Sequence, residues 1–483
     1  MAELRPVGYI LGLLLISFGV LMLLPMLLDQ VRGDANGLAF LEAAIQTVLF
    51  GLLLSTSCRN SLHDTLTIRQ AFVLTAGIWT VLPLFCALPF IEGAPKAAFT
   101  DAYFETVSGL TTTGSSVFNG LQDMPRGVIL WRGMLNWLGG LGIAFVAMIF
   151  LPVMRVGGMQ FFRTEGFDTM GKILPRAGDI ARMLVVFYTG LTGAAFLSYV
   201  LTGMPWLHAL VHAFATISTG GFSTSDDGFG AFSGAAEYVG SVFIILASLP
   251  YIRFVQAMSG HGLKPLYKDE QVRAYLRWIA TAVGLVVLYR LFTSSEPVET
   301  IFRQSLFNLI SIFSGTGFGS ADVSKWGEFP VMIAFMVGMI GGCTSSSAAA
   351  ISVFRWQLTL KAIRAQITRL HLPHIQQTIR YEGRTVGNDI LDPLILYVTG
   401  YILTMGVMIM LLDMTGTDAE SAIFAVWTSL GNVGYGFGRT YEAAGSMINY
   451  STFAKWIMII AMLMGRLGLL SVFVLVLPRF WRW

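Results

Sequence analysis

Four short segments place glycine beside small or uncharged residues: Thr112-Thr113-Gly114-Ser115, Ser218-Thr219-Gly220-Gly221, Gly315-Thr316-Gly317-Phe318 and Asn432-Val433-Gly434-Tyr435. None contains an acid or a base, so the chemistry open to them belongs to the main chain. Glycine permits conformations that bring successive carbonyls round to one side. A ring of such carbonyls can replace the water around a dehydrated cation. In a chain with 52 glycines a single Gly-x-Gly is more often a turn or a packing contact between helices. Recurrence at intervals of roughly 100 residues with matching flanks is the mark of an internal repeat and outweighs that reading.

Two further groups bear on a pathway. The run Gly341-Gly342-Cys343-Thr344-Ser345-Ser346-Ser347 and the following alanines interrupt an apolar stretch. It is open to two readings: a non-helical loop within the membrane, since Gly and Ser are poor in helix interiors, or a close-packing face between helices. Arg466 lies deep in an otherwise apolar final stretch. An intramembrane charge is costly and marks a functional site, with a structural ion pair or carbonyl contact as the alternative.

Catalytic readings find little support. Of six histidines only His208 and His212 are four apart, without the glutamate that would complete a zinc-protease pattern, and packing or interfacial polarity suits them better. His371 and His374 are too little for a metal site. Ser345 to Ser347 have no convincing base partner, and no Gly-x-x-x-x-Gly-Lys-Ser/Thr loop is present. Cys58, Cys86 and Cys343 sit in or beside apolar stretches, which suggests neither a disulfide framework nor a Cys-based metal site.

The elements that must position these residues are membrane helices. The 483 residues are 55% hydrophobic and 12% charged, with a mean hydropathy of +0.68, against about 25% charged residues in a soluble domain. Stretches 8–28, 37–57 and 72–90 approach or exceed the length that crosses a bilayer. The first is longer than a signal-peptide core, lacks a clear cleavage site and is followed at once by another, so it reads as a retained helix. The net charge of +3 is unevenly spread. Arg59 and Arg69, then Arg155, Arg163, Lys172 and Arg176, then Lys264, Lys268 and Arg273, then the run from Arg355 to Arg384 fall in alternate loops. Those loops face the cytoplasm by the positive-inside bias, and the glycine loops face the other way. Nothing here requires a nucleic acid.

After two leading helices (1–69), the chain reads as four copies of one unit, 70–176, 177–268, 269–384 and 385–483. Each copy runs apolar span, half-length helix, glycine loop, apolar span, giving ten crossings with both termini in the cytoplasm. Asp101, Glu299, Asp418 and Glu420 fall at or near the starts of the half-length helices, where negative charge is favoured. Such a helix aims its C-terminal carbonyls at the bilayer interior, where a bare cation needs them. Non-helical backbone at that depth must be buried in protein or line a watery cavity.

Residues 432–436 read Asn-Val-Gly-Tyr-Gly, one side chain from the Thr-Val-Gly-Tyr-Gly filter of potassium channels. With Asp101-Ala-Tyr-Phe-Glu105, Thr111-Thr-Thr-Gly114, Trp137-Leu-Gly-Gly-Leu-Gly142, Gly157-Gly-Met-Gln160, Gly220-Gly-Phe-Ser223 and Met464-Gly-Arg-Leu467, nearly the whole chain resembles the Trk/Ktr/HKT superfamily, specifically its bacterial Trk-type membrane subunits. The resemblance implies an all-α integral membrane protein whose four units surround one pore pseudo-fourfold, with two extra N-terminal transmembrane helices and two subunits per assembly. It implies potassium as the permeant ion at the sixteen residues of the four segments. It implies a gate at 341–347, Arg466 on the pore axis, and a cytoplasmic nucleotide-binding ring as partner, docking on basic segments 155–182 and 355–384 that anionic lipid could also satisfy. Nucleotide is expected on that partner only, and the setting is a bacterial inner membrane. In plant relatives a serine in place of the first filter glycine goes with sodium preference; here Gly114 stands. The chain departs from the family where Ser345, the alanines and Ser352 replace further glycines and a lysine, and where Gly468 replaces an acid. A sodium-permeable or potassium/sodium or proton symporter of the same fold is the nearer alternative. An organic-solute transporter, which more often has inverted repeats, is the further one.

Overall fold

The computed structural model describes residues 4–59, 67–145, 177–372 and 378–481. The Gly157 to Gln160 motif, most of the basic segment 155–182, His63, His374 and Trp483 lie outside the described residues. Helices dominate. Among the described residues six are long and apolar enough to cross a bilayer: Arg5–Val31, Gly37–Cys58, Arg69–Glu92, Ala181–Leu201, Glu270–Thr293 and Asn388–Asp413. Ala235–Ala247 and Tyr251–Gly260 reach that length and apolarity only as a pair, bent by 83° at the break between them.

In the third and fourth units the second span is broken, while in the first it is an unbroken helix as far as it is described. Arg126–Phe145 runs to the edge of the described residues. Glu328–Ile340 stops and resumes only at Val353–His371. Thr452–Leu467 breaks at Gly468, with φ at 77°, before Leu469–Val476. The helix ends at Leu467, one residue beyond Arg466, where Gly468 takes a positive φ that glycine adopts without steric cost.

Local sequence explains the long helices. Thr67 and Gln70 form a reciprocal cap at the start of Ile68–Cys86. Asp269 accepts the amides of Gln271 and Val272 at the start of Glu270–Thr293. Such caps satisfy amides that have no partner within the helix. The two leading helices run antiparallel with Gly12 against Gly51, where a β-carbon on either would crowd the other's main chain. Small residues let backbones approach where lipid supplies no hydrophobic drive.

Four shorter helices enter between the spans: Phe99–Leu110, Trp206–Ile217, Val298–Ser314 and Ala419–Leu430. Asp101, Glu299 and Glu420 occupy first turns, and Asp418 caps the last helix by accepting the Ser421 amide at 3.0 Å. Asp101 is also paired with the buried Lys455 at 2.7 Å. The packing sorts the units in space. One apolar core joins the leading helices with the first and fourth units, and a second joins the second and third units and takes in Phe424, Trp427, Val433, Tyr435 and Phe437 of the fourth.

The helical expectation misses one small feature. Arg380–Tyr381 and Arg384–Thr385 pair as an antiparallel hairpin. Its turn residues Glu382 and Gly383 both have positive φ, 48° and 79°, the pattern of a tight turn matched to strand twist.

Candidate functional site

Each short helix ends in a loop of the same conformation. The amides of Thr113, Gly220 and Thr316 donate to the carbonyls of Ser108, Ala215 and Ser311 at 2.8 Å, and Val433 to Thr428 at 2.9 Å. One residue before each of these, φ turns positive: Thr112 at 51°, Thr219 at 50°, Gly315 at 76° and Asn432 at 48°. One residue after, a glycine does the same: Gly114 at 85°, Gly221 at 71°, Gly317 at 78° and Gly434 at 79°. The backbone thus sets the register of the second loop. Residues 219–222 correspond to 112–115, 315–318 and 432–435, with Ser218 at the place of Thr111, Ser314 and Gly431. The glycine equivalent to Gly114 is Gly221.

The four loops close on one another. A β-carbon at Gly114 would collide with the carbonyl oxygen of Gly220, one at Gly221 with that of Thr316, one at Gly317 with that of Val433, and one at Gly434 with that of Thr113. Each glycine therefore abuts the next loop's carbonyl, and the fourth returns to the first. All four glycines line one cavity of about 580 Å³, with Asp226, Asp227, Asp322 and Glu442 higher on its wall. Oxygen-rich backbone converging from four loops is the kind of arrangement that can stand in for the hydration of a cation, and the carboxylates give the mouth a negative field.

The side chains around the ring are buried and mostly engaged. Asn432 donates to the hydroxyl of Thr113 at 2.8 Å and to the carbonyl of Met462 at 3.0 Å. Phe318 packs against His212 and Phe229. Tyr435 donates to the carbonyl of Ala321 at 2.8 Å. Thr316 and Ser314 share a hydroxyl contact of 2.6 Å. The Ser115 hydroxyl is buried without a partner among the described residues.

On the other side of the ring, residues 341–352 form an irregular, largely buried loop. The amide of Cys343 donates to the Ser248 carbonyl at 3.1 Å, and the Tyr251 amide to the Ser345 carbonyl at 2.8 Å. The amide of Val353 donates back to the Gly342 carbonyl at 3.0 Å, and Gly341 itself turns with φ at 77°. Ser346 donates to Cys343 at 2.6 Å. The Ser347 hydroxyl lies 3.0 Å from the carbonyl of Ile217, at the foot of the second loop, and accepts from Tyr251 at 2.9 Å. The Ala349 amide donates to the Ser314 carbonyl at 3.3 Å. So the loop is hung from the ends of two short helices. These main-chain bonds belong to an ordered non-helical segment rather than a helical packing face.

Arg466 completes this layer. It donates to the carbonyl of Thr111 at 2.7 Å, to the Thr112 hydroxyl, and to the carbonyl of Ser347 at 3.4 Å. Of the two readings for this charge, carbonyl contact is what the geometry gives, in addition to its position under the ring. Arg466 lines a space of about 90 Å³ with Thr344, Ser345, Arg355 and Tyr397.

Toward the basic face, the Thr344 amide donates to Gln271 at 3.0 Å. Asp269, two residues earlier, pairs with Arg253 at 2.7 Å, and Arg253 reaches Glu382 of the hairpin at 2.7 Å. Burial pushes the Asp269 carboxyl above the ordinary range, while Arg253 opposes that shift. On the opposite face the Ser421 amide holds the Asp418 carboxyl below it.

Sequence reasoning singled out the loops, the interruption and Arg466. It did not single out Arg132 and Asn308, nor the use of Glu105 and His212 behind the loops. Their common signal is spacing: Glu105, His212 and Asn308 each stand nine residues before a ring glycine. Among the described residues no cluster of three or more His, Cys, Asp or Glu could hold a metal ion.

Comparison with known proteins bears on the whole chain. The family model described as TrkH, cation transport protein, matches residues 36–482. The chain is 34% identical to the Trk system potassium uptake protein TrkI of Halomonas elongata over 479 residues, covering 99% of this chain and 97% of that one. It is 33% identical to the Trk system potassium uptake protein TrkH of Escherichia coli K12 over 484 residues, 99% of each. It superimposes on the crystal structure of the potassium transporter TrkH from Vibrio parahaemolyticus with a TM-score of 0.91 at 31% identity, covering 99% of this chain and 100% of that one.

Proposed function

Since the chain belongs to the TrkH family of cation transport proteins, a family of transporters rather than enzymes, we propose that it carries potassium into a bacterial cell through the ring formed by its four loops. Its multi-pass architecture sits in the inner membrane with both termini in the cytoplasm. Units 70–176, 177–268, 269–384 and 385–483 supply one quadrant each. Ions shed water at the ring, exchange it for the carbonyls of residues 112–115, 219–222, 315–318 and 432–435, and meet the 341–347 loop and Arg466 below. That loop acts as the gate. The observation that carries the reading is the cyclic contact of Gly114, Gly221, Gly317 and Gly434 with the carbonyls of the neighbouring loops.

An inside-negative potential favours entry by about 2.3 kcal/mol per charge per 100 mV, so flow needs no nucleotide site in this chain. Control comes from a cytoplasmic nucleotide-binding ring docked on the basic face. Two copies of the chain form the assembly, with anionic lipid at the remaining basic surface.

Potassium uptake into proteoliposomes under inside-negative voltage, with sodium in parallel, tests the reading. Wild type takes up potassium selectively, and Gly114→Ser loses the selectivity. Transport that ignores the difference between the ions in wild type, or is untouched by the substitution, would sink the filter and favour the sodium-permeable alternative. Sodium-dependent or proton-dependent potassium uptake would identify coupled symport.

A further inference from the structure

The position nine residues before each ring glycine holds Glu105, His212, Asn308 and Ala425. The first three side chains are fully buried, and each reaches the chain leaving its own loop. Glu105 accepts from the Ser116 hydroxyl and from the Val117 amide, both at 2.9 Å. His212 Nε2 lies 3.1 Å from the Ser223 hydroxyl, and its Nδ1 is turned to the His208 carbonyl at 2.8 Å. Asn308 accepts from the Ser320 amide at 3.1 Å and donates to the Ser320 hydroxyl at 2.9 Å. These are equivalent latches built from three different chemistries.

The fourth unit lacks one, because Ala425 has no polar atom to offer. There Tyr435 of the loop itself donates to the Ala321 carbonyl at 2.8 Å and accepts from the Val323 amide at 3.4 Å. The fourth loop is thus fastened to the exit of the third. The first latch is also braced to the second loop. Arg132 pairs with Glu105 at 2.8 Å, donates to the Ser223 carbonyl at 2.8 Å, and lies 4.3 Å over the Phe222 ring.

We propose that Glu105, His212 and Asn308 are positioning residues for ion discrimination, holding the exits of the first three loops at fixed distance from the ring. The inference rests on the potassium-filter reading. A carbonyl ring that selects by cavity size distinguishes cations of different radius only while its diameter is defended against relaxation around the smaller ion. Hydrogen bonds in a buried, low-dielectric setting supply that resistance, and a missing partner leaves a buried group unpaired. Glu105 contributes no net charge because Arg132 neutralises it. Removing Glu105 alone would leave a cation beside the outer cavity and depress all cations together, so the informative change at this pair is to both residues.

The test is the ratio of potassium to sodium uptake in proteoliposomes of the full chain. It compares wild type, Asn308→Ala, Ser223→Ala, the double variant Glu105→Gln with Arg132→Gln, His212→Ala and His212→Gln. Each is checked for a single monodisperse peak and for its thermal midpoint. Ser223→Ala removes one hydroxyl and little volume, which keeps the test open if a larger change fails to fold. The ratio is expected to fall about tenfold in Asn308→Ala and the double variant, equivalent to about 1.4 kcal/mol of lost discrimination. His212→Gln, whose amide can still reach Ser223, recovers the ratio lost in His212→Ala. Variants with a lowered midpoint but the wild-type ratio would make these residues fold supports only and overturn the proposal. A wild type without selectivity would instead remove the filter reading, and this inference with it.

Discussion

Arg466 donates its Nε hydrogen to the carbonyl oxygen of Thr111 at 2.7 Å, joining the last turn of a helix in the fourth unit to the foot of the loop in the first. The same guanidinium reaches Ser347 of the irregular loop. One side chain therefore holds the ring and the segment beneath it together while setting a positive charge next to the proposed path.

Replacing Arg466 with glutamine removes the charge and most of this fork. Potassium uptake is expected to rise about tenfold if the charge adds some 1.4 kcal/mol to the barrier. Arg466→Lys keeps the charge but cannot reproduce the planar geometry, so its rate should fall between the two. Initial rates of uptake in proteoliposomes decide this, and a rate in Arg466→Gln at or below that of wild type would refute a barrier role.

Gly434 combines a φ of 79° with contact against the Thr113 carbonyl. A side chain there costs about 1–2 kcal/mol for the left-handed backbone alone and displaces the neighbouring loop as well. Gly434→Ala should abolish selective uptake. Gly406, in a membrane helix with open space around it, is the control, and Gly406→Ala should keep full transport. Equal behaviour of the two variants would contradict the ring geometry.

Ser345, Ala350 and Ser352 hold positive φ, at 63°, 64° and 89°, without being glycine. Each stores backbone strain on the order of 1–3 kcal/mol, which glycine would relieve against a smaller entropic cost of roughly 0.5–1 kcal/mol. Ala350→Gly should therefore raise the thermal midpoint of the purified protein and lower its unstimulated uptake, because the loop rests more securely below the ring. A lower midpoint with faster uptake would show that the strain does not act on this state.

Asp418 caps the last short helix, and the Ser421 amide holds its carboxyl below the ordinary range. Its contribution is present above the unfolded-state value and lost as pH falls through the depressed one. The thermal midpoint should accordingly drop on acidification through and below the aspartate range. Asp418→Asn keeps a capping oxygen and should flatten that part of the profile, whereas Asp418→Ala should lower the midpoint at neutral pH by the loss of a cap worth about 1 kcal/mol. An unchanged acid limb in Asp418→Asn would assign the titration to another group.

Much of the candidate site was legible because its signals are local. Glycine beside Thr113, Thr219, Thr316 and Val433 marked the loops, and the Gly-Ser run at 341–347 marked the break that the helix end at Ile340 displays. The second loop was read one residue early because Gly220 and Gly221 are adjacent. Only the backbone, positive at Thr219 and Gly221, distinguishes which of them corresponds to Gly114. The Glu382-Gly383 hairpin is too short to leave a periodic pattern. His212 was read as packing or polarity, since nothing near it in sequence announces Ser223 as its partner.

By itself the sequence determined that this is a repeated, multi-span membrane protein with four glycine loops and, in its final apolar stretch, the arginine Arg466. Those properties follow from transfer free energies and backbone preferences that accumulate along the chain. The tertiary structure alone decided that Gly434 meets Thr113, that Arg466 meets Thr111, and that Glu105, His212 and Asn308 face the loop exits. The ring and arginine contacts join residues hundreds of positions apart, and the exit contacts depend on how each loop folds back on its helix. In both, a buried polar group takes the partner that packing brings to it, which no local preference encodes.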